Sequence, residues 1–111
     1  YFHSAKSGHK IDAIKNYAKA SFCVIDQDHI IPEKYTTYYR SVIAFGTIHI
    51  MENETEIKKA IHDLAQKYYP NDKESGRNAE IEKERERFCM LEFSIDHLSG
   101  KEAIELVSAK Q

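Results

Sequence analysis

Tryptophan is absent from this chain, and proline, cysteine and glycine are scarce: two, two and four residues among 111. So little proline and glycine excludes a collagenous or low-complexity chain. Two cysteines are too few for a disulfide scaffold. Cys23 and Cys89 lie in apolar, strand-like runs without metal-type spacing, and they read as two buried free thiols in a reducing compartment. No apolar run approaches the roughly 20 residues that a membrane-spanning helix needs. Nothing reads as a signal peptide. A net charge of −2 exerts no general pull toward nucleic acid or an anionic membrane. The Walker and dinucleotide glycine patterns and the nucleophile elbow are missing. The six histidines, His3, His9, His29, His49, His62 and His97, form neither H-E-x-x-H nor a Cys/His cluster. These absences point to a cytoplasmic protein with no nucleic-acid, membrane or metal partner.

What is present describes an ordered chain. Hydrophobic residues make up 41% and charged residues 31%, enough for a single domain over residues 1–111 with a modest core. Ala20 to Asp26 is a short apolar run of strand formers and reads as a strand buried on both faces. Gln27 to Thr37 reads as a polar loop carrying Pro32. Tyr38 to Met51 is the longest strand signal, interrupted by Gly46, where a bulge, a barrel corner or a close backbone approach is expected. Asn53 with Glu56 three residues on resembles a capping box. Ile57, Ala60, Ile61, Leu64, Ala65 and Tyr68 then follow at helical spacing, and Pro70 ends the pattern. Gly76 to Arg87 is charge-rich and reads as a solvated helix with Ile81 and Phe88 as a thin apolar line. Phe88 to Ile95 is a strand with Cys89, Leu91, Phe93 and Ile95 on one face. The tail from Asp96 to Gln111 is ambiguous: Ser99-Gly100-Lys101-Glu102 can cap a short helix through Ile104 and Leu106, or form a loop leading into an edge strand. Helices do not follow every strand, so an antiparallel barrel with helical insertions fits better than βαβ units.

The stretch with most chemistry is Tyr1 to Lys10. Tyr1 and Phe2 read as the end of a strand, His3-Ser4-Ala5 as a polar connection, and Gly8 as a tight turn. Ser7 can cap a helix whose stripe is Ile11 and Ile14, with Tyr17 or Ala18 behind. Lys10 then lies in the first turn, where a cation opposes the helix dipole. It becomes sensible if Ser4, Ser7, Lys10 and the free backbone N–H groups hold a phosphate there. The alternative is an exposed helix with one badly placed lysine. His3 and His9 flank this start and each can donate to a phosphate. Tyr35, Tyr38, Tyr39 and Arg40 form an aromatic-basic cluster for which core or rim packing is the simpler reading.

Four ordered blocks now carry a resemblance. They are Tyr-Phe-His-Ser-Ala-x-x-Gly-His-Lys at 1–10, Ser21 to Asp26, Tyr39-Arg40-Ser41-Val42-Ile43-Ala44-Phe45-Gly46, and Ser99-Gly100-Lys101. Together they resemble the NimA/NimC (5-nitroimidazole resistance) branch of the pyridoxamine 5′-phosphate oxidase-like proteins. The resemblance implies a mainly β, FMN-binding split barrel with helical insertions. It implies a homodimer with flavin at the interface and a small-molecule substrate. The first barrel strands would precede Tyr1, so the domain reads as N-terminally incomplete. Carried over by position, the flavin-binding residues are His3, Ser4, Ala5, Gly8, His9, Lys10, Ser41 and Val42. Lys10 would meet the phosphate, and Ser41 would contact flavin from the partner subunit. Where related oxidases carry Arg-Gln-Val, this chain has Arg40-Ser41-Val42, and a serine reaches less far. Asn16-Tyr17-Ala18 stands where the family often has Asn-Pro. The substrate-binding arginine and histidine of true pyridoxamine phosphate oxidases have no match, so that activity is not expected.

The implied activity is an FMN-dependent, nitroreductase-like oxidoreductase acting on small nitroaromatics, with His3 as the candidate proton donor. The rival readings are a flavin- or haem-binding module without turnover, and a dimerisation domain that has lost its ligand. Fold alone does not separate them.

Overall fold

The computed structural model describes residues 1–109. In chain order the elements are β1 (Phe2–Ala5), α1 (His9–Asn16), β2 (Lys19–Ile31), β3 (Thr36–Ile50), α2 (Glu54–Tyr68), α3 (Glu74–Glu84), β4 (Phe88–Glu102) and α4 (Ile104–Ser108). Short 3-10 turns at Pro32–Lys34 and Arg85–Arg87 precede β3 and β4. The strands hydrogen-bond in the order β1-β4-β3-β2. β1 is antiparallel to β4 and β2 to β3. Met51 N–H donates to the Met90 carbonyl and Ala103 N–H to the Tyr39 carbonyl, so β3 and β4 also run in opposite directions. The described residues divide into two compact units, 1–18 with 48–94 and 19–47 with 95–109.

The first unit owns a hydrophobic core. Asn53 caps α2, its side-chain oxygen accepting from Glu56 N–H at 3.0 Å, as the sequence predicts. The helical stripe then buries Ile57, Ala60 and Ile61 against Met51 and Met90, with Leu64, Ile81 and Phe88 packed at the margin. Tyr68, the last stripe residue, is exposed. Met90 and Leu91 are adjacent and only 1% and 2% exposed. Successive strand residues point to opposite faces, so β4 is covered on both sides here, not on the single face expected. β1 extends to Ala5, because Phe2 to Ala5 pair with Leu91 to Phe88. His3-Ser4-Ala5 is therefore strand, not a connection.

α3 forms where charge patterning places it, but Arg77 within it and Arg85 just after it pair with groups outside the helix. Arg77 donates to Gln66 and to the Tyr69 carbonyl, and Arg85 just beyond α3 forks onto Glu54 at 2.8 and 3.0 Å. One local pair, Arg87 with Glu84, is recorded at 3.7 Å.

The second unit departs most from expectation. β2 does not stop at Asp26; it continues to Ile31, paired through Ile31 with Thr36. The expected long loop is a short turn in which Tyr35 takes a left-handed conformation at φ 51° and is 97% exposed. Gly46 pairs with Ala20 in register, and the ladder instead shifts between Ile25 and Gln27. Burial fails as well. Val24, Ile25, Val42, Ile43 and Phe45 are exposed, and so is Cys23, contrary to its expected burial; Cys89 is half-buried. Because these include neighbours along each strand, apolar side chains stand uncovered on both faces. β4 runs on through Ser99-Gly100-Lys101 to Glu102, so this stretch is strand and neither a helix cap nor a loop, while the short helix expected through Ile104 and Leu106 forms directly behind it as α4.

Two consequences are measurable. Met90→Ala should cost about 2–5 kcal/mol in urea denaturation, the usual range for emptying a packed core site; a loss under about 1 kcal/mol would contradict this core. The Arg85 fork, helped by the charges of Lys58 and Lys6, holds the Glu54 carboxyl below the usual glutamate range. A lowered native pKa gives stability that is present above the unfolded glutamate value and is lost as pH falls through the native one. Glu54→Gln should flatten that acid limb of a Tm-against-pH profile, and an unchanged limb would show that the pair contributes nothing.

Candidate functional site

The strand-turn-helix of the first unit gathers six of the eight expected flavin contacts. β1 pairing fixes His3, Ser4 and Ala5, and α1 places His9 and Lys10 in its first turn. Ile11, 2% exposed, anchors that turn, with Ile14 half-buried one turn on. The helix does not begin as Ser7 suggested. Gly8 is the N-cap, at φ 135° and ψ 176°, and no side chain caps the helix start. This is a backbone region reserved for glycine. No atom comes within 4 Å of where a Cβ on Gly8 would stand. The residue is required by conformation, and the space before it is open.

That geometry suits an anion. The first N–H groups of a helix lack intrahelical acceptors and carry the positive end of its dipole. Here a glycine turn leaves them accessible, and exposed Lys10 adds a full charge. Asp12, also in the first turn, partly balances it. Ser4 Oγ donates to the Ala5 carbonyl at 3.1 Å, so its lone pairs remain available while its proton is engaged. His3 is exposed, its ring edge-on to Phe88 at 6.0 Å between centroids and 79° between planes.

Ser41 and Val42 belong to the second unit, on β3, with Ser41 half-buried and Val42 exposed. Their surroundings hold a feature the sequence reading missed. Arg40 Nε donates to Glu102 and its Nη1 to Asp26, each at 2.7 Å. Asp26 is the extra residue at the register shift in β2, so the bulge turns a carboxylate toward the arginine. The two carboxylates hold the guanidinium firmly charged. Gly100 lies opposite: a Cβ there would stand 3.9 Å from the Ser41 carbonyl. Lys101 of the same block sits over the Tyr39 ring at 5.9 Å, and Lys34 donates to the Tyr38 hydroxyl at 3.1 Å. The aromatic-basic cluster is thus a set of half-buried tyrosines carrying lysines, with Tyr35 apart from it at the turn. The available signal for the ion triad was an acid closing an apolar run at Asp26 and an arginine opening the next strand.

A family model described as pyridoxamine 5′-phosphate oxidase matches residues 1–102. The chain belongs to this family. Among solved structures, a protein from Bacteroides thetaiotaomicron, given provisionally as a 5-nitroimidazole antibiotic resistance protein, superposes with a TM-score of 0.65 at 18% identity. The likeness covers 88% of this chain and 57% of that one, so this chain spans little more than half that protein's length. At such identity the likeness establishes the fold: the mainly β split barrel of the pyridoxamine 5′-phosphate oxidase family. No curated protein matches the chain significantly. Among the described residues no helix is long and apolar enough to cross a membrane.

If the Gly8 turn is held by conformation alone, Gly8→Ala should destabilise the protein by about 1–3 kcal/mol, since no neighbour obstructs the methyl group. Chemical denaturation measures this, and an unchanged midpoint would mean the turn relaxes freely.

Proposed function

We propose that this member of the pyridoxamine 5′-phosphate oxidase family binds FMN and uses it to reduce small molecules, with nitroaromatics of the nitroimidazole type as the substrate class. The observation that carries the reading is the start of α1: uncapped by any side chain, open in front of Gly8, and bearing Lys10 in its first turn. The residues fit a phosphate monoester. Gly8, His9 and Lys10 would hold the phosphate through backbone N–H groups and the lysine ammonium, with Ser4 beside them. His3, Ala5, Ser41 and Val42 would line the rest of the cofactor. When bound, FMN supplies the redox chemistry, and the protein supplies binding, orientation and electrostatics. His3 is exposed and can pass a proton to a substrate near β1. The neighbour's provisional link to 5-nitroimidazole resistance supports the substrate class.

The assembly proposed with it is a homodimer with flavin at the interface. Its support is the second unit, which leaves Val24, Ile25, Val42, Ile43, Ile95 and Leu98 exposed. Apolar surface of that extent marks an interaction site. In such a dimer Ser41 and Val42 would reach the flavin of the partner subunit. The proposed compartment is the cytoplasm.

The first test is an absorbance spectrum of the purified protein with mass spectrometry of the released ligand. Flavin bands and free FMN are expected, in a particle of twice the chain mass by analytical ultracentrifugation. Lys10→Ala should weaken FMN binding about 10–100-fold, the range for losing one hydrogen bond to a charged group. A colourless full-length protein that takes up no added FMN would overturn the reading. A flavoprotein that neither reduced pyridine nucleotide nor nitroimidazole turns over would leave binding without catalysis.

A further inference from the structure

Ser41 and Val42 stand on a length of β3 with little apolar packing of its own: Ser41 is half-buried, and Val42 and Ile43 are exposed. The backbone there is held from both neighbouring strands, all within the second unit. Arg40 Nε donates to Glu102 of β4 and its Nη1 to Asp26 of β2, each at 2.7 Å. Asp26 is the extra residue between the pairs Ile25–Ser41 and Gln27–Arg40, so the bulge falls at the step from Arg40 to Ser41. On the other side, Ala103 N–H donates to the Tyr39 carbonyl at 2.9 Å, and Gly100 lies alongside Ser41, where a Cβ would stand 3.9 Å from its carbonyl.

The two arms of the arginine are unequal. The side chains of Arg40 and Glu102 are 30% and 25% exposed, whereas that of Asp26 is 60% exposed. Water competes for the Asp26 arm, and exposed ion pairs contribute little. The Glu102 arm is partly shielded, and charge-assisted hydrogen bonds of that length are the stronger kind. It ties β3 to β4 one residue before Ser41, while the Asp26 arm fixes the direction of the bulge. A guanidinium suits this task because its donors lie in one rigid plane, so binding two carboxylates also fixes the distance between the strands that carry them. A lysine ammonium is a point charge on a flexible stem and lacks that plane.

We propose that Arg40 is a positioning residue of the cofactor site: by tying β2 and β4 to β3, it fixes the backbone from which Ser41 and Val42 meet flavin. The flavin part rests on the function proposed above; the fixing of the backbone does not. Arg40 itself touches no cofactor, and its contribution passes through the strand.

The test measures amide hydrogen exchange at residues 41–43 in the ligand-free, full-length protein, then FMN affinity by flavin fluorescence, with Tm on the same samples. Arg40→Met keeps an apolar stem and removes the donors. Arg40→Lys keeps the charge and loses the plane, and it decides alone if Arg40→Met fails to fold. Both are expected to exchange faster at Ser41 and Val42, as a locally released strand does. Both are expected to weaken FMN about tenfold, the scale for removing an outer partner of a binding group. Arg85→Gln, which breaks the fork onto Glu54 in the first unit, is expected to leave FMN affinity and exchange at 41–43 unchanged. Unchanged exchange at Ser41 and Val42 in the Arg40 variants would overturn the clamp. Full rescue by Arg40→Lys, or equal weakening of FMN by Arg85→Gln, would overturn the positioning role, because charge or general stability would then account for it. A native protein that takes up no FMN would overturn the proposed function and the flavin role of Arg40 with it, while the exchange data would still decide the clamp.

Discussion

The packing of α2 onto the ends of β3 and β4 is the constraint on which the first unit depends. Ile57, Ala60 and Ile61 meet Met51 and Met90 in one buried cluster. That contact holds β4 in place through residues 88 to 91, and those four residues supply every partner of β1. β1 in turn feeds directly into the Gly8 turn and α1. The candidate phosphate site is thus three steps from the core: helix on strand, strand on strand, strand into turn. Each step is short and hydrogen-bonded or packed, which is how a loop site gains the rigidity that binding requires. Burial of Ile11 adds a second anchor from the other end of the turn.

No comparable apolar cluster exists among the described residues of the second unit. Its fully buried apolar side chains are small, Ala44 and Ala103, and its larger ones are half-buried or exposed. What organises it is the backbone ladder of β2 with β3 and the ion triad of Arg40, Asp26 and Glu102. A sheet with bare apolar faces exposes hydrophobic area that a stable soluble protein normally hides. The physical incompleteness of this unit and the proposed second subunit are therefore two sides of one argument.

Legibility in the sequence followed locality. α2 could be read because its cap and its stripe lie within sixteen residues of each other, and propensity, capping and periodicity agree there. The start of α1 was half legible. Ile11 and Ile14 placed Lys10 in the first turn, but the φ of Gly8 cannot be inferred from composition, and Ser7 looked the better cap. The extent of β2 was hidden because Gln27 to Ile31 becomes strand only through its partners at Thr36 to Arg40. Burial of β2 was misjudged for a related reason. An apolar run says that a surface needs cover, not whether this chain provides it. The partners of Arg40 stand 14 and 62 residues away, and only the acid that closes the apolar run at Asp26 hints at one of them. The division of the proposed flavin contacts between the two units was equally invisible from spacing.

The triad also narrows how a phosphate can be held. Arginine is the usual residue for planar, bidentate capture of such a group. Arg40 carries its charge next to Ser41 and Val42, yet its Nε and Nη1 are already engaged by carboxylates at 2.7 Å. Withdrawing it to serve a ligand would break its ion pairs with exposed Asp26 and half-buried Glu102. Arg40 is better understood as the clamp that joins β2, β3 and β4 at the bulge and so sets the backbone on which Ser41 and Val42 stand. Under the proposed function, the charge of a bound phosphate would then fall to Lys10 and the amides of the α1 turn. That proposal would account for a glycine in a glycine-only conformation, a missing side-chain cap and a lysine at the wrong end of a helix occurring together. Each is a defect in an isolated helix, and all three are assets at an anion site.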